Sequence, residues 1–401
     1  MFNALLHVGI IVTSFFFIPG VDIRDIKMAM AMCFAFSLLA VELNTRGIGR
    51  FPNKWLPVLL IYLPISVILS PAPSIKLLGI DVSYFWSWEP LLHIVIFSIM
   101  AMAISSHEFS QRDIELLLKN MTYCGAFLSA YMIMQYFKID QFFKPIESFL
   151  PGQGNVAGFI GNPTLTAPYV AMLIPIAIFL RKYVVSIVMV LAVFATQSQV
   201  AYIAMITSLI FFIATRGPRR FCLSIGIVFL SISLFLCGYA KYPSVRKFVE
   251  PHERLEMWKQ TAKDINSQIA PEVENCYPLT GRGIGSYKFV FHTQHPGTDQ
   301  NPNRFFQAHN DPLEFAYGTG LVGIFLLFMG ILRTFTLNLN IREVLYMGSD
   351  EYRSALLASF LCICLCSLGT FVWQIGPLIF LTVILVGLLH NKQQVELIKG
   401  A

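Results

Sequence analysis

The chain has 401 residues, 56% of them hydrophobic and 13% charged, with a mean hydropathy of +0.64 and a formal net charge of +6. Soluble globular domains carry roughly 25% charged residues, so this composition excludes an ordinary soluble domain and indicates an integral membrane protein. The positive balance does not indicate nucleic acid, because Lys and Arg collect in alternate short loops rather than in one basic patch.

Apolar runs long enough to span hydrocarbon as helices fall at 4–20, 26–43, 55–72, 88–105, 114–137, 164–181, 183–197, 198–215, 220–239, 312–332, 355–373 and 375–390. The expected fold is an all-α integral membrane protein of about twelve transmembrane helices, a single polytopic domain over residues 1–401. Met1 to Gly20 lacks a basic n-region and a small-residue cleavage site, so the first run is expected to remain as a span. Arg46, Arg50, Lys54, Arg112, Arg181, Lys182, Arg216, Arg219 and Arg220 fall in loops on one side, whereas the short loops of the other side hold Arg24, Lys27, Lys76, Lys138 and Lys144. That bias puts both termini in the cytoplasm. The one large loop, 240–311, then faces outward between the ninth and tenth spans, which in a bacterium is the periplasmic side.

Taken in order, the loop 138–163 is dense in Gly and Pro, including Gly161-Asn162-Pro163, and reads as turns or a short re-entrant segment. Ala195-Thr196-Gln197-Ser198-Gln199 interrupts an apolar run, and the basic stop at Arg216–Arg220 favours a tight turn over a polar kink there. Cys362, Cys364 and Cys366 have a period of two, which fans thiols around a helix and does not make a metal site. Cys237 and Cys276 leave a disulfide open in an oxidising compartment.

The large loop carries the polar chemistry. From Pro251 to Pro271, apolar positions at 255, 258, 262, 265 and 269 predict an amphipathic helix, on which Arg254 and Trp258 are neighbours. Arg254 reads either as a Trp-stacked surface cation or as a bidentate clamp for phosphate oxygens. Gly281, Gly283 and Gly285 flank Arg282 and Ile284; with no strand before them they read as a tight turn, though they would also let backbone approach a ligand. His292 and His295 lack partners at metal-ligand spacing and read as surface residues. Asp311-Pro312-Leu313-Glu314 reads as N-cap, N1, N2 and a capping-box Glu at N3. His309 then lies just before a helix N-terminus, whose dipole disfavours imidazolium and keeps the ring neutral.

Ala308-His309-Asn310-Asp311-Pro312-Leu313-Glu314-Phe315, followed by Gly318-Thr319-Gly320, resembles the signature of the O-antigen ligase and O-antigen polymerase superfamily. Arg254-Leu255-Glu256-Met257-Trp258, Gly281-Arg282-Gly283-Ile284-Gly285 and Gly161-Asn162-Pro163 are similar to that family's other motifs. The resemblance implies a metal-independent, GT-C-like glycosyltransferase that needs no cofactor. Its donor would be an undecaprenyl-pyrophosphate-linked glycan. Its acceptor would be lipid A core for a ligase, or a lipid-linked glycan for a polymerase, the runner-up reading. By carry-over, His309 is the general base and Arg254 holds the pyrophosphate, with Arg282, Asn310, Trp258, Gly283 and Asn162 binding substrate. One departure is Gln199 after Ser198, where family members often carry arginine. A secondary transporter fits less well, because the polar residues have no counterpart in the first half of the chain.

Overall fold

The computed structural model describes residues 1–16, 23–45, 54–68, 76–77, 80–81, 85–139, 156–217, 220, 252–266, 279–287, 307–339 and 351–391. Their regular structure is helical, apart from a two-residue antiparallel ladder that pairs Lys76 with Asp81 and Leu77 with Ile80. The helices are α1 (Phe2–Phe15), α2 (Ile23–Thr45), α3 (Trp55–Ile68), α4 (Phe85–Ser106), α5 (Gln111–Tyr136), α6 (Pro163–Ala171), α7 (Ile174–Phe179), α8 (Tyr183–Ala195), α9 (Gln199–Ala214), α10 (His252–Asn266), α11 (Asp311–Asn338), α12 (Glu351–Ser367) and α13 (Gly376–Leu389). Among them, Ile26–Thr45, Glu89–Ser106 and Asp311–Asn338 are long and apolar enough to cross a membrane. Helices α1, α3, α8, α9 and α13 are apolar but shorter.

Two predicted boundaries gain a physical account. The run at 164–181 is α6 and α7 rather than one helix, because Pro175 brings no N–H for the Ala171 carbonyl and the chain breaks just before it. At 195–199 the helix stops, and Gln197 takes a left-handed φ of 57°. The Tyr202 hydroxyl donates to the Phe194 carbonyl at 2.7 Å and the two rings lie 5.0 Å apart. Eight residues of continuous helix rise about 12 Å, so the chain folds back here as a turn.

Packing divides the chain into two compact units. The first comprises Met1–Pro52, Ile96–Pro218 and Thr334–Ala401. In it α9 lies against α12, α5 against α8, α1 against α2 and α5, and α2 against α13. Lys27, expected in a short outer loop, is instead inside α2 with 1% of its surface exposed. Its ammonium donates to the carbonyls of Ser14 (3.2 Å) and Phe159 (2.7 Å), the kind of partner a cation must find once it leaves water. Glu42, equally buried, holds His107 Nδ1 at 2.9 Å, and the imidazole stacks on Phe2 at 4.0 Å. Asn391 donates to the carbonyls of His107 (2.7 Å) and Ile104 (3.2 Å), closing the end of α4.

The second unit comprises Asn53–Val95 and Arg219–Arg333. Its larger core joins Leu59, Leu63 and Val67 of α3 and Leu91 of α4 to Ile284 and to Leu326 of α11. A smaller core joins Met257 of α10, Tyr287, Ala308 and Tyr317, with Trp258 and Ile265 packed beside it. The predicted residues of the large loop converge on this smaller core. Cys237, Cys276, His292 and His295 lie outside the described residues, as do 221–239 of the predicted ninth span.

Candidate active site

The amphipathic helix predicted after Pro251 is α10, but its buried face is turned from the predicted one. Met257, Thr261 and Asp264 are buried, whereas Leu255 is 41% exposed and Ala262 also faces out. Apolar spacing mispredicted the face because two polar residues on the inner side are satisfied there. The Thr261 hydroxyl donates to the Met257 carbonyl at 2.8 Å and lies 3.2 Å from the Tyr287 hydroxyl, and Gln260 donates to Asp264 at 3.1 Å. A buried polar side chain whose hydrogen bonds are made costs little, so hydropathy alone misjudges it. Arg254 and Trp258, four residues apart, both sit at the edge of this face, partly buried.

The glycine segment approaches backbone rather than an open site. Gly281 (φ 73°) leaves no room for a side chain: a Cβ there would come within 2.4 Å of the Gly318 carbonyl oxygen and the Gly320 nitrogen. Gly320 (φ 67°, ψ −172°) interrupts α11, and its own Cβ would meet Leu279 at 2.4 Å. Arg282 N donates to the Tyr317 carbonyl and Val322 N to the Leu279 carbonyl, both at 3.2 Å. The Tyr62 hydroxyl reaches the carbonyls of Thr319 (2.6 Å) and Leu279 (3.0 Å), supplying a donor where the helix is broken. The glycines thus let two backbones lie side by side. Gly283 is part of this seam, its carbonyl 2.9 Å from where a Gly318 Cβ would stand. Arg282 donates from Nη1 to the Tyr317 hydroxyl at 2.6 Å and lies 4.9 Å from the centre of that ring.

The cap of α11 is displaced by one residue from the predicted one. Asn310 is the N-cap: its Oδ1 accepts from Leu313 N at 3.0 Å and its carbonyl from Glu314 N at 3.0 Å. Asp311 begins the helix, and Glu314 reaches past the cap to accept from Ala308 N at 3.0 Å. Asx side chains compete for the cap, and Asn310 wins because Asp311 is already in helical register. His309 precedes this cap with a φ of 50°, one of the few non-glycine positive values among the described residues. Such a conformation costs of order 1–3 kcal/mol and persists where its surroundings enforce it.

His309 is mostly buried, and its pKa lies well below the usual 6.5, at about 4. Burial is the larger cause and the Arg254 guanidinium the second. The ring is therefore neutral, as expected from its place before a helix, but through burial and Arg254. Burial also lowers the pKa of Arg254, which stays a cation near neutral pH. Asn162 belongs to the first unit, where it caps α6 and accepts from Thr164 N at 2.9 Å.

Residues 184–328, which include α10, the glycine segment and the start of α11, match the family model described as O-antigen ligase. The match supports the O-antigen ligase superfamily for this segment. With the apolar helices, it supports a membrane protein whose segment 184–328 is similar to O-antigen ligases. No curated protein matches the chain. Among the superfamily's predicted site residues here, Arg254 and His309 come together electrostatically, and Trp258 joins them through Ala308. The sequence reading missed Glu314 as the partner of Ala308, along with Tyr62, Tyr287 and Tyr317 as the frame. The tyrosines carry no spacing rule, and the capping-box spacing of Glu314 pointed to the cap rather than to Ala308, so only the fold relates them.

Proposed function

We propose that this protein is an O-antigen ligase of the bacterial inner membrane, which transfers a glycan from undecaprenyl pyrophosphate to a hydroxyl of lipid A core on the periplasmic side. In this reading about twelve spans carry the chain, both termini are cytoplasmic and the loop 240–311 faces the periplasm. The observation that carries it is the pairing of a neutral, buried His309 with the Arg254 cation at the start of α11.

The acceptor hydroxyl attacks the anomeric carbon while the glycosyl C–O bond to pyrophosphate breaks. His309 takes the hydroxyl proton, and the charge gathering on the departing pyrophosphate falls to Arg254. The same pairing gives the order of events a physical basis. Arg254 helps to hold the imidazole's basicity down. A pyrophosphate seated on Arg254 offsets that cation and adds negative charge, so His309 becomes a stronger base once the donor is bound. Arg282, Asn310 and Gly283 are proposed as further contacts to the substrates.

Deleting the protein and resolving the lipopolysaccharide on gels tests the reading. Core without attached polymer supports the ligase, whereas core bearing a single repeat replaces it with a polymerase. His309→Ala and Arg254→Lys should each abolish transfer with membrane insertion intact, the second because an ammonium cannot reproduce bidentate phosphate geometry. Substantial residual transfer in His309→Ala would remove the base from the mechanism.

A further inference from the structure

The backbone of Ala308, the residue before His309, is held on both sides of its Cα, its carbonyl and its N–H being bound by side chains from different elements. The Trp258 indole N–H, on α10, donates to the Ala308 carbonyl at 2.7 Å. The Glu314 carboxylate, one turn into α11, accepts from the Ala308 N–H at 3.0 Å. Ala308 is completely buried against Met257, Tyr287 and Tyr317, so neither bond is easily exchanged for water. His309 follows directly with its left-handed φ of 50°. A β-carbon-bearing residue leaves that conformation unless neighbours fix the peptide before it and the cap after it. The cap is Asn310; Trp258 fixes the peptide that joins Ala308 to His309, and Glu314 fixes the one before it.

We infer that Trp258 and Glu314 are positioning residues, a clamp on the two peptides that flank Ala308, which aims the His309 imidazole and ties it to the helix bearing Arg254. This replaces substrate binding as the role of Trp258 and gives Glu314 one. The inference rests on the reading of His309 as the base. A base displaced by about 1 Å can lose on the order of a hundredfold in rate, so the clamp acts on turnover rather than on donor affinity.

The test compares Trp258→Phe, Glu314→Ala and Glu314→Gln in the purified full chain in nanodiscs. Two readouts are used: transfer kinetics with an undecaprenyl-pyrophosphate-linked glycan and lipid A core, and the carbethoxylation rate of His309 by mass spectrometry. Phe keeps the aromatic packing and loses the donor, whereas Gln keeps an acceptor for the Ala308 N–H. Trp258→Phe and Glu314→Ala should lower kcat by on the order of tenfold to a hundredfold, with the donor KM within about twofold. Both should label His309 severalfold faster, and Glu314→Gln should behave as the parent. A raised KM at unchanged kcat in Trp258→Phe would make it a substrate contact and overturn the clamp, as would unaltered labelling or a Glu314→Gln no better than Glu314→Ala. Full turnover in His309→Ala would instead overturn the base, while the labelling rates would still judge the clamp.

Discussion

Replacing Arg254 by Met should make His309 more basic, but only part of the way back to 6.5. The drop from 6.5 to about 4 corresponds to about 3 kcal/mol against the imidazolium, at about 1.36 kcal/mol per pH unit. Burial is the larger cause, so Arg254 supplies less than about half of it, and its loss should raise the His309 pKa by no more than about one pH unit. Carbethoxylation reads this without needing transfer activity, because only the neutral ring reacts. At about pH 5 an imidazole with a pKa of about 4 is roughly nine-tenths neutral, whereas an ordinary one is roughly one-thirtieth neutral. The His309 labelling rate should therefore stay nearly flat between about pH 5 and pH 8 in the parent and begin to fall near the acidic end in Arg254→Met. The same shift has a stability sign. The unfolded chain takes up the proton near 6.5 and the folded chain near 4, so this contribution is present above 6.5 and is lost as pH falls towards 4. His309→Gln should remove that part of the acid sensitivity. A parent labelling curve with its midpoint near 6.5 would refute the burial of the ring, and a shift larger than about half of that separating 4 from 6.5 would refute the ranking of causes.

The glycine seam separates two kinds of strain. Gly281→Ala adds a Cβ 2.4 Å from backbone atoms at a φ of 73°, so it should cost about 3 kcal/mol or more and lower the melting temperature in detergent clearly. Gly161→Ala has a similar φ of 88° but nothing within 4 Å, so conformational strain alone should cost about 1 kcal/mol in the same measurement. Tyr62→Phe removes the hydroxyl that reaches Thr319 and Leu279, and should cost about 1 kcal/mol with little change in donor KM.

Several particulars show how far local chemistry reaches. The predicted loop 138–163 ends where Asn162 caps α6, because capping is settled within one turn. The cap of α11 moved from Asp311 to Asn310, since two adjacent Asx side chains compete and only the path of the preceding chain decides between them. The inner face of α10 turned away from Leu255 because Thr261 and Asp264 found partners there. Lys27 went from loop to interior for the same reason, its partners lying at Ser14 and, across a long stretch of sequence, at Phe159.

The sequence by itself determined that this chain is helical and apolar, and that its polar chemistry gathers between Arg254 and Asp311. Those are matters of hydropathy, proline, glycine and capping, each decided over a few neighbouring residues. It also carried the motif that marks the superfamily, since a motif is a local string. Only the tertiary structure decided that burial and Arg254 hold His309 neutral, and that the glycines meet α11 backbone to backbone. The same holds for the backbone of Ala308 before His309, bound at its carbonyl by Trp258 and at its N–H by Glu314. Those relations depend on distances between segments far apart in the chain, which no local pattern encodes.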